Sequence, residues 1–344
     1  MSDKFNPRIK RPFNVILHSA DEVELRVGSW NPVSFNITDD QKTGRVSRFI
    51  EALDGKDTPK KIGDDIGMST EEVDNLIEQL RILDVLEEEP LTALDHYLDQ
   101  NLPTLRTWGV PDLPKSVIII SDLPEREEIA ERLSASLKDI SINVLADDSS
   151  LNHILRTGED EWIHDQLKFE DVVHQFELWK DSFILFFDHT ANPLTRRKLN
   201  RIALALKFPW LSAVMDGPFL LIGPLAVPDE TPCFECLEKR ILMNLSDPAG
   251  YINYKNALAN GVARSLDWSP QPMLTQLLSA HVGIEALNYL VTGNSFLRGR
   301  MLSIYLPSME FVYHQILQIP QCAGCGSLSV RQERETYFDI DSLI

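Results

Sequence analysis

This chain has little cysteine, four residues in 344. It also lacks any apolar run near the roughly 20 residues that span a bilayer, which excludes a membrane-crossing helix. Met1 to Lys10 is polar and has no apolar core, so it does not read as a secretory signal. Positive charge is in deficit: 33 Lys and Arg against 52 Asp and Glu give a formal net charge of −19. Such a surface does not attract phosphate backbones. No internal repeat or low-complexity segment is present. The length suffices for two domains with a substantial core. Together these absences lead us to expect a globular protein of the cytoplasm, where thiols stay reduced and disulfides are rare.

What cysteine there is falls into two pairs, Cys233-Phe234-Glu235-Cys236 and Cys322-Ala323-Gly324-Cys325. Cys-x-x-Cys spacing lets both sulfurs of a knuckle reach one metal, and two such pairs supply the four thiolates of a tetrahedral zinc site. Four thiolates leave no open position, so the expected zinc is structural and not catalytic. The alternatives are four unpaired buried thiols, or a redox pair, which would need only one knuckle.

The first 93 residues read as a compact module. Three β-prone runs, Phe13–Leu17, Val23–Val27 and Val33–Ile37, come first. Three helical segments follow. Val46, Phe49, Ile50 and Leu53 share one face of the first. Pro59 opens the second and Gly67 follows its end. Ser69 and Glu72 form a capping box on the third, which presents Val73, Leu76, Ile77 and Leu80. Three strands and three helices in this order suggest a winged helix. Residues 94–114 read as a linker stiffened by Pro103, Pro111 and Pro114.

From Lys115 the pattern turns to α/β alternation. Ser116–Ile120, Ile142–Leu145, Phe183–Phe187, Trp210–Met215 and Phe219–Leu225 read as strands, with helices at Glu125–Leu137 and Leu194–Leu206. That order predicts a doubly wound sheet over residues 115–344. The loop after its first strand, Ser121-Asp122-Leu123-Pro124-Glu125, has no glycine and one proline, which lacks an N–H. Asp122 and Glu125 would repel a phosphate there. Asp147 and Asp148 read as a solvated loop.

The stretch from Asp188 to Asn200 resembles the E1-like (ThiF/MoeB) adenylating enzymes, whose pattern is Asp-x-x-Asp-Asn, then Arg and Leu-Asn. Asp188, Asn192, Arg196, Leu199 and Asn200 match it, and both Cys-x-x-Cys pairs match the family's zinc knuckles. The resemblance implies magnesium ligation by the second Asp, but that position is Ala191, whose methyl group cannot hold a metal. It also implies a glycine-rich loop over the phosphates, which is absent. We therefore expect an E1-like domain inactive in adenylation, with no ATP bound. Asp188 and Arg196 then serve to hold the fold.

The chain as a whole resembles the E1-like partner proteins of thiazole/oxazole-modified microcin biosynthesis (ocin-ThiF-like, or the C-type component of cyclodehydratases). Ile222-Gly223-Pro224, Pro228, Pro232, Cys233, Cys236 and Arg240 look like their shared signature. In that family a winged-helix element binds the leader of a ribosomal precursor peptide, and the E1-like part docks a YcaO-type cyclodehydratase that does the chemistry. The resemblance thus implies a non-catalytic, leader-binding scaffold with a separate catalyst. The expected groove lies between Val33, Ser34, Phe35, Asn36 and Ile37 on the strand and Asp74, Ile77 and Arg81 on the third helix. E1-like domains pair, so a homodimer is expected too, with the apolar Gln271–Val291 as a contributor. Two alternatives remain: an active peptide-adenylating enzyme, and a winged-helix regulator. Against the regulator, residues 1–95 hold 12 basic and 20 acidic residues, and the recognition helix carries Glu71, Glu72, Asp74 and Glu78.

Overall fold

The computed structural model describes residues 6–326, apart from 31, 90, 102–112, 158, 261 and 264–269. The chain divides into two compact units, residues 1–106 and 107–344. Most of the expected linker, residues 102–112, lies outside the described residues.

In the first unit β1 (Arg8–Ile9), β2 (Asn14–Leu17), β3 (Glu22–Val27) and β4 (Val33–Thr38) precede α1 (Val46–Ala52), α2 (Pro59–Ile66) and α3 (Thr70–Ile82). β5 (Leu86–Glu87) and α4 (Ala93–Asn101) follow. β2, β3 and β4 form an antiparallel sheet in that order, and β1 pairs with β5. Alternation along β3 puts Val23 and Leu25 into the core, where Phe49, Ile50, Val73 and Leu80 meet them. The helix ends follow local chemistry. Thr58 accepts the Lys61 N–H ahead of Pro59, and Gly67 closes α2 at φ 77°. Ser69 and Glu72 form the expected capping box on α3. Gly63 is where α2 crosses α3: a Cβ there would lie 2.4 Å from Val73 Cγ2.

The second unit runs β6 (Ser116–Ile120), α5 (Glu125–Ser136), β7 (Ser141–Val144), α6 (Ser150–Arg156), α7 (Gln166–Gln175), β8 (Ser182–Asp188), α8 (Pro193–Leu206), β9 (Trp210–Asp216) and β10 (Phe219–Ala226). Then come α9 (Phe234–Asn244), α10 (Pro248–Ala259), α11 (Pro272–Thr292), β11 (Arg300–Tyr305) and β12 (Glu310–Gln315). One mixed sheet has the order β12-β11-β10-β9-β8-β6-β7. β7, β6, β8 and β9 are parallel; β9 to β12 are antiparallel neighbours. The doubly wound expectation therefore holds only for the parallel half. Only Gly217-Pro218 separates Asp216 from Phe219, and two residues can make a hairpin but never a parallel crossover.

Every residue of β8 is buried, as a central strand covered on both faces requires. α11 packs on α5 and over β8, β9 and β10, with Leu278, Val282 and Ala286 fully buried. Its apolar face thus covers the sheet of its own chain. Among the described residues no helix is long and apolar enough to cross a membrane.

Candidate metal centre, crevice and peptide groove

Cys233 caps the N-terminus of α9 and Cys236 lies in its first turn, while Cys322 and Cys325 flank a turn beyond β12. The four sulfurs lie within 4.8 Å of one another, with Cys233–Cys322 at 3.6 Å and Cys236–Cys325 at 3.5 Å. These gaps are too long for disulfides. Thiolates at ~2.3 Å from a tetrahedral zinc stand about 3.8 Å apart, so the set fits one ion. Cys233, Cys236 and Cys322 are buried and Cys325 is partly so. The first knuckle is held from α8. Asn200 Oδ1 accepts the Phe234 N–H at 3.0 Å, and Arg201 Nη2 donates to Glu235 at 2.8 Å. Arg240 Nε donates to the Leu317 carbonyl at 2.6 Å, tying α9 to the chain that leads into the second knuckle. Gly324 has no room for a side chain: a Cβ would stand 3.0 Å from Glu235 Oε1 and 3.2 Å from Cys233 Sγ. Arg201 and Glu235 were not singled out from sequence. An acidic residue inside a Cys-x-x-Cys pair, beside an apolar one, was the available signal.

At the carboxyl ends of β6 and β8, where open α/β sheets bind ligands, the chain supplies its own ion pairs. Asp188 is 2% exposed. Arg156 grips both its oxygens at 3.0 Å, and the Asp122 N–H donates to it at 3.0 Å. Asp122 in turn accepts the His189 N–H at 2.9 Å and faces His189 Nδ1 at 2.6 Å. Burial, and then the charge of Asp188, push the Asp122 carboxyl above its ordinary value. Arg126 donates to the Ser121 carbonyl at 2.7 Å and clamps Asp147 at 2.6 and 2.8 Å. Asp147 is thus a solvated loop residue, as read from sequence, that also serves as an ion-pair partner.

Arg196 is buried beneath this network. It donates to Ser212 Oγ at 3.1 Å and to the Ala213 carbonyl at 3.0 Å, with its guanidinium 5.0 Å from the Phe186 ring. Beside it a cavity of about 400 Å³ is lined by Ala191, Val214, Met215, Tyr251 and Tyr254 among others. The methyl group of Ala191 and this mostly apolar wall offer a metal no carboxylate but Asp216.

The strand and helix of the expected peptide groove are both in the first unit. The Asp39 N–H donates to the Asp21 carbonyl at 2.9 Å. By antiparallel alternation Val33, Phe35 and Ile37 then bond to β3, and Ser34, Asn36 and Thr38 aim their N–H and C=O groups at the other edge. Among the described residues no strand pairs with that edge. Alongside lies a cavity of about 310 Å³, lined by Asn36, Ile37, Thr38, Leu76, Gln79, Leu80, Ile82 and Leu83. Phe35 and Ile37 turn inward to the core, while Val33 stays exposed. The Ser34 hydroxyl donates to Glu24 at 2.7 Å; with His18 and Arg26 it lowers the Glu24 carboxyl to about 2. Asp74, Ile77 and Arg81 do not line the groove. Ile77 packs on the core, and Arg81 pairs with Glu78 and Glu88. Leu76, Gln79, Leu80, Ile82 and Leu83 form the helix side of this cavity, interleaved with the positions expected from sequence.

Comparison with solved structures finds this fold in heterocyclases. The heterocyclase TruD is similar with a TM-score of 0.62 at 20% identity, covering 96% of this chain and 44% of that one. A heterocyclase in complex with substrate and cofactor gives 0.62 at 18%, covering 95% and 40%. The E. coli microcin synthetase McbBCD complex gives 0.41 at 13%, covering 92% and 99%. The chain spans less than half the length of the two heterocyclases. No protein-family model matches it, and no curated protein does.

Proposed function

We propose that this chain is a non-catalytic leader-peptide-binding scaffold. Residues 1–93 act as a winged-helix recognition element, 94–114 as a linker, and 115–344 as an E1-like domain that has lost adenylation. It presents a ribosomal precursor peptide to a separate YcaO-type cyclodehydratase that forms thiazoline and oxazoline rings. One observation carries the reading: the open edge of β4 runs beside an apolar groove walled by α3. An extended peptide can add a strand to such an edge, with main-chain bonds giving affinity and the groove giving selectivity. The likeness in fold to a heterocyclase in complex with substrate supports the same reading.

The test is a titration of labelled leader against wild type, Ser34→Pro and Asn36→Pro. Each proline removes one edge donor and leaves the β3 ladder intact. Each lost bond is worth roughly 0.5–1.5 kcal/mol, so binding is expected to weaken by about threefold to tenfold. Equal affinity in both folded variants rules out strand addition here. A wild type that ignores the leaders of its own gene neighbourhood ends the scaffold reading.

The cavity beside Arg196 favours one competitor, an active adenylating enzyme. Against it, Asp188 is already held by Arg156 and the Asp122 N–H at the carboxyl ends of β6 and β8, where open α/β sheets bind ligands. We expect no ATP binding by calorimetry and no pyrophosphate exchange; micromolar ATP binding promotes the competitor.

A further inference from the structure

Arg240, one of the signature positions read from the sequence, stands four residues after Cys236 on α9, so the two side chains share a helix face. Its Nε–H is given to the Leu317 carbonyl at 2.6 Å. Leu317 belongs to the short segment that joins β12 to the second knuckle. That segment is pinned on both sides of the Arg240 bond. The Ile316 N–H donates to the Gly299 carbonyl at 3.0 Å, and the Cys322 N–H donates to the Ile319 carbonyl at 3.0 Å.

Held this way, two successive residues reach one sulfur of each knuckle. The Ile319 N–H donates to Cys236 Sγ at 3.4 Å, and the Ile319 side chain packs on the cysteine cluster. Gln318 Nε2 donates to the Cys325 carbonyl at 3.2 Å and to Cys325 Sγ at 3.7 Å. Both of its partners are acceptors, so the amide must turn its nitrogen, and not its oxygen, towards the knuckle. The need for such donors follows from charge. Four thiolates around one divalent ion keep two negative charges in excess. An N–H aimed at a charged sulfur stabilises it, and partners of this kind orient the ligands of a metal.

We infer that Arg240 and Gln318 are positioning residues of the metal centre. Gln318 acts from its side chain on Cys325. Arg240 acts through Leu317, fixing the segment so that the Ile319 N–H meets Cys236 and the Gln318 amide meets the second knuckle. A stretch of chain that supplies no ligand thus braces the two knuckles against each other and sets how firmly the centre keeps its ion. This inference rests on the metal centre and stands apart from the peptide reading, which concerns the other unit.

The zinc-loaded full-length chain tests it, by transfer of zinc to a coloured chelator and by the absorption of the cobalt-substituted form. Gln318→Leu and Arg240→Met should each lose about tenfold or more in zinc affinity. Gln318→Glu, of the same shape but without the donor, should lose at least as much. Gln318→Arg and Arg240→Gln should keep native affinity, because each places an N–H the same number of bonds from the backbone as the one replaced. In the cobalt form of Gln318→Leu the thiolate-to-cobalt band should move to longer wavelength, since a sulfur that loses an N–H donor gives up its electrons more readily. Native zinc affinity in both Gln318→Leu and Arg240→Met overturns the inference. So does an unmoved cobalt band together with a lower melting temperature of the metal-free variants, which would make these residues a brace of the fold alone. A native chain that takes up no zinc overturns it as well.

Discussion

Stripping metal from the four-cysteine centre is expected to lower the melting temperature of the 107–344 unit by about 10 °C. A ligand held only by the folded state stabilises it by about 4 kcal/mol when free ligand exceeds the dissociation constant a thousandfold. For a unit of this size each kcal/mol is worth about 2–4 °C. The site suits such a linkage because its sulfurs converge from α9 and from the turn after β12. Repulsion among them, once the ion is gone, must be relieved by protonation or by opening of the knuckles. Trp210 offers a local probe, buried and 6.0 Å from the Phe234 ring between the first two cysteines. Elemental analysis should find one zinc per chain, and Cys236→Ser should reproduce the chelated melting curve. Less than half an equivalent of zinc, with melting indifferent to chelator, sinks the metal centre.

Arg156→Ala should cost about 3 kcal/mol of unfolding free energy, because it strands the Asp188 carboxylate. Removing one partner of a buried pair costs about 3–5 kcal/mol, and the lower end applies since the Arg156 side chain is 32% exposed. What remains to Asp188, at 2% exposure, is the single Asp122 N–H. Arg156→Met with Asp188→Asn removes both charges and should be milder than the single change. Denaturant midpoints decide it; a single variant no worse than the double would mean that the pair carries no burden of buried charge. The neighbouring carboxyl gives a sign to check. Asp122 titrates above its ordinary value in the folded protein. Its contribution is therefore fully present below the ordinary carboxylate range and is lost as pH rises through the raised value. Asp122→Asn should remove that portion of the pH dependence.

Much of the fold was legible where local chemistry and burial agree. Ser116–Ile120 is an apolar run in sequence and a strand with those bounds in the structure. The Ser69–Glu72 capping box is present because both of its bonds are made within one turn. β12 escaped because Glu310–Gln315 is exposed throughout and shows no apolar alternation. α10 has no buried residue and hence no stripe to read. The cysteine cluster was legible because its chemistry is carried by residue type and spacing. The cavity beside β4 takes Leu76 and not the adjacent Ile77 into its wall, a choice sequence does not announce because both residues are apolar. The Arg156–Asp188–Asp122 network was invisible, for its members come from three elements up to 66 residues apart.

The spacing of the two knuckles bears on how this chain matures on the ribosome. Cys233 and Cys322 are 89 residues apart, and α9, α10, α11, β11 and β12 lie between their knuckles. The first pair leaves the exit tunnel early and can offer a metal only two sulfurs. The centre is completed after the last of these elements has been translated. A chain that stalls before Cys322 therefore carries only two of the four sulfurs that the site brings together.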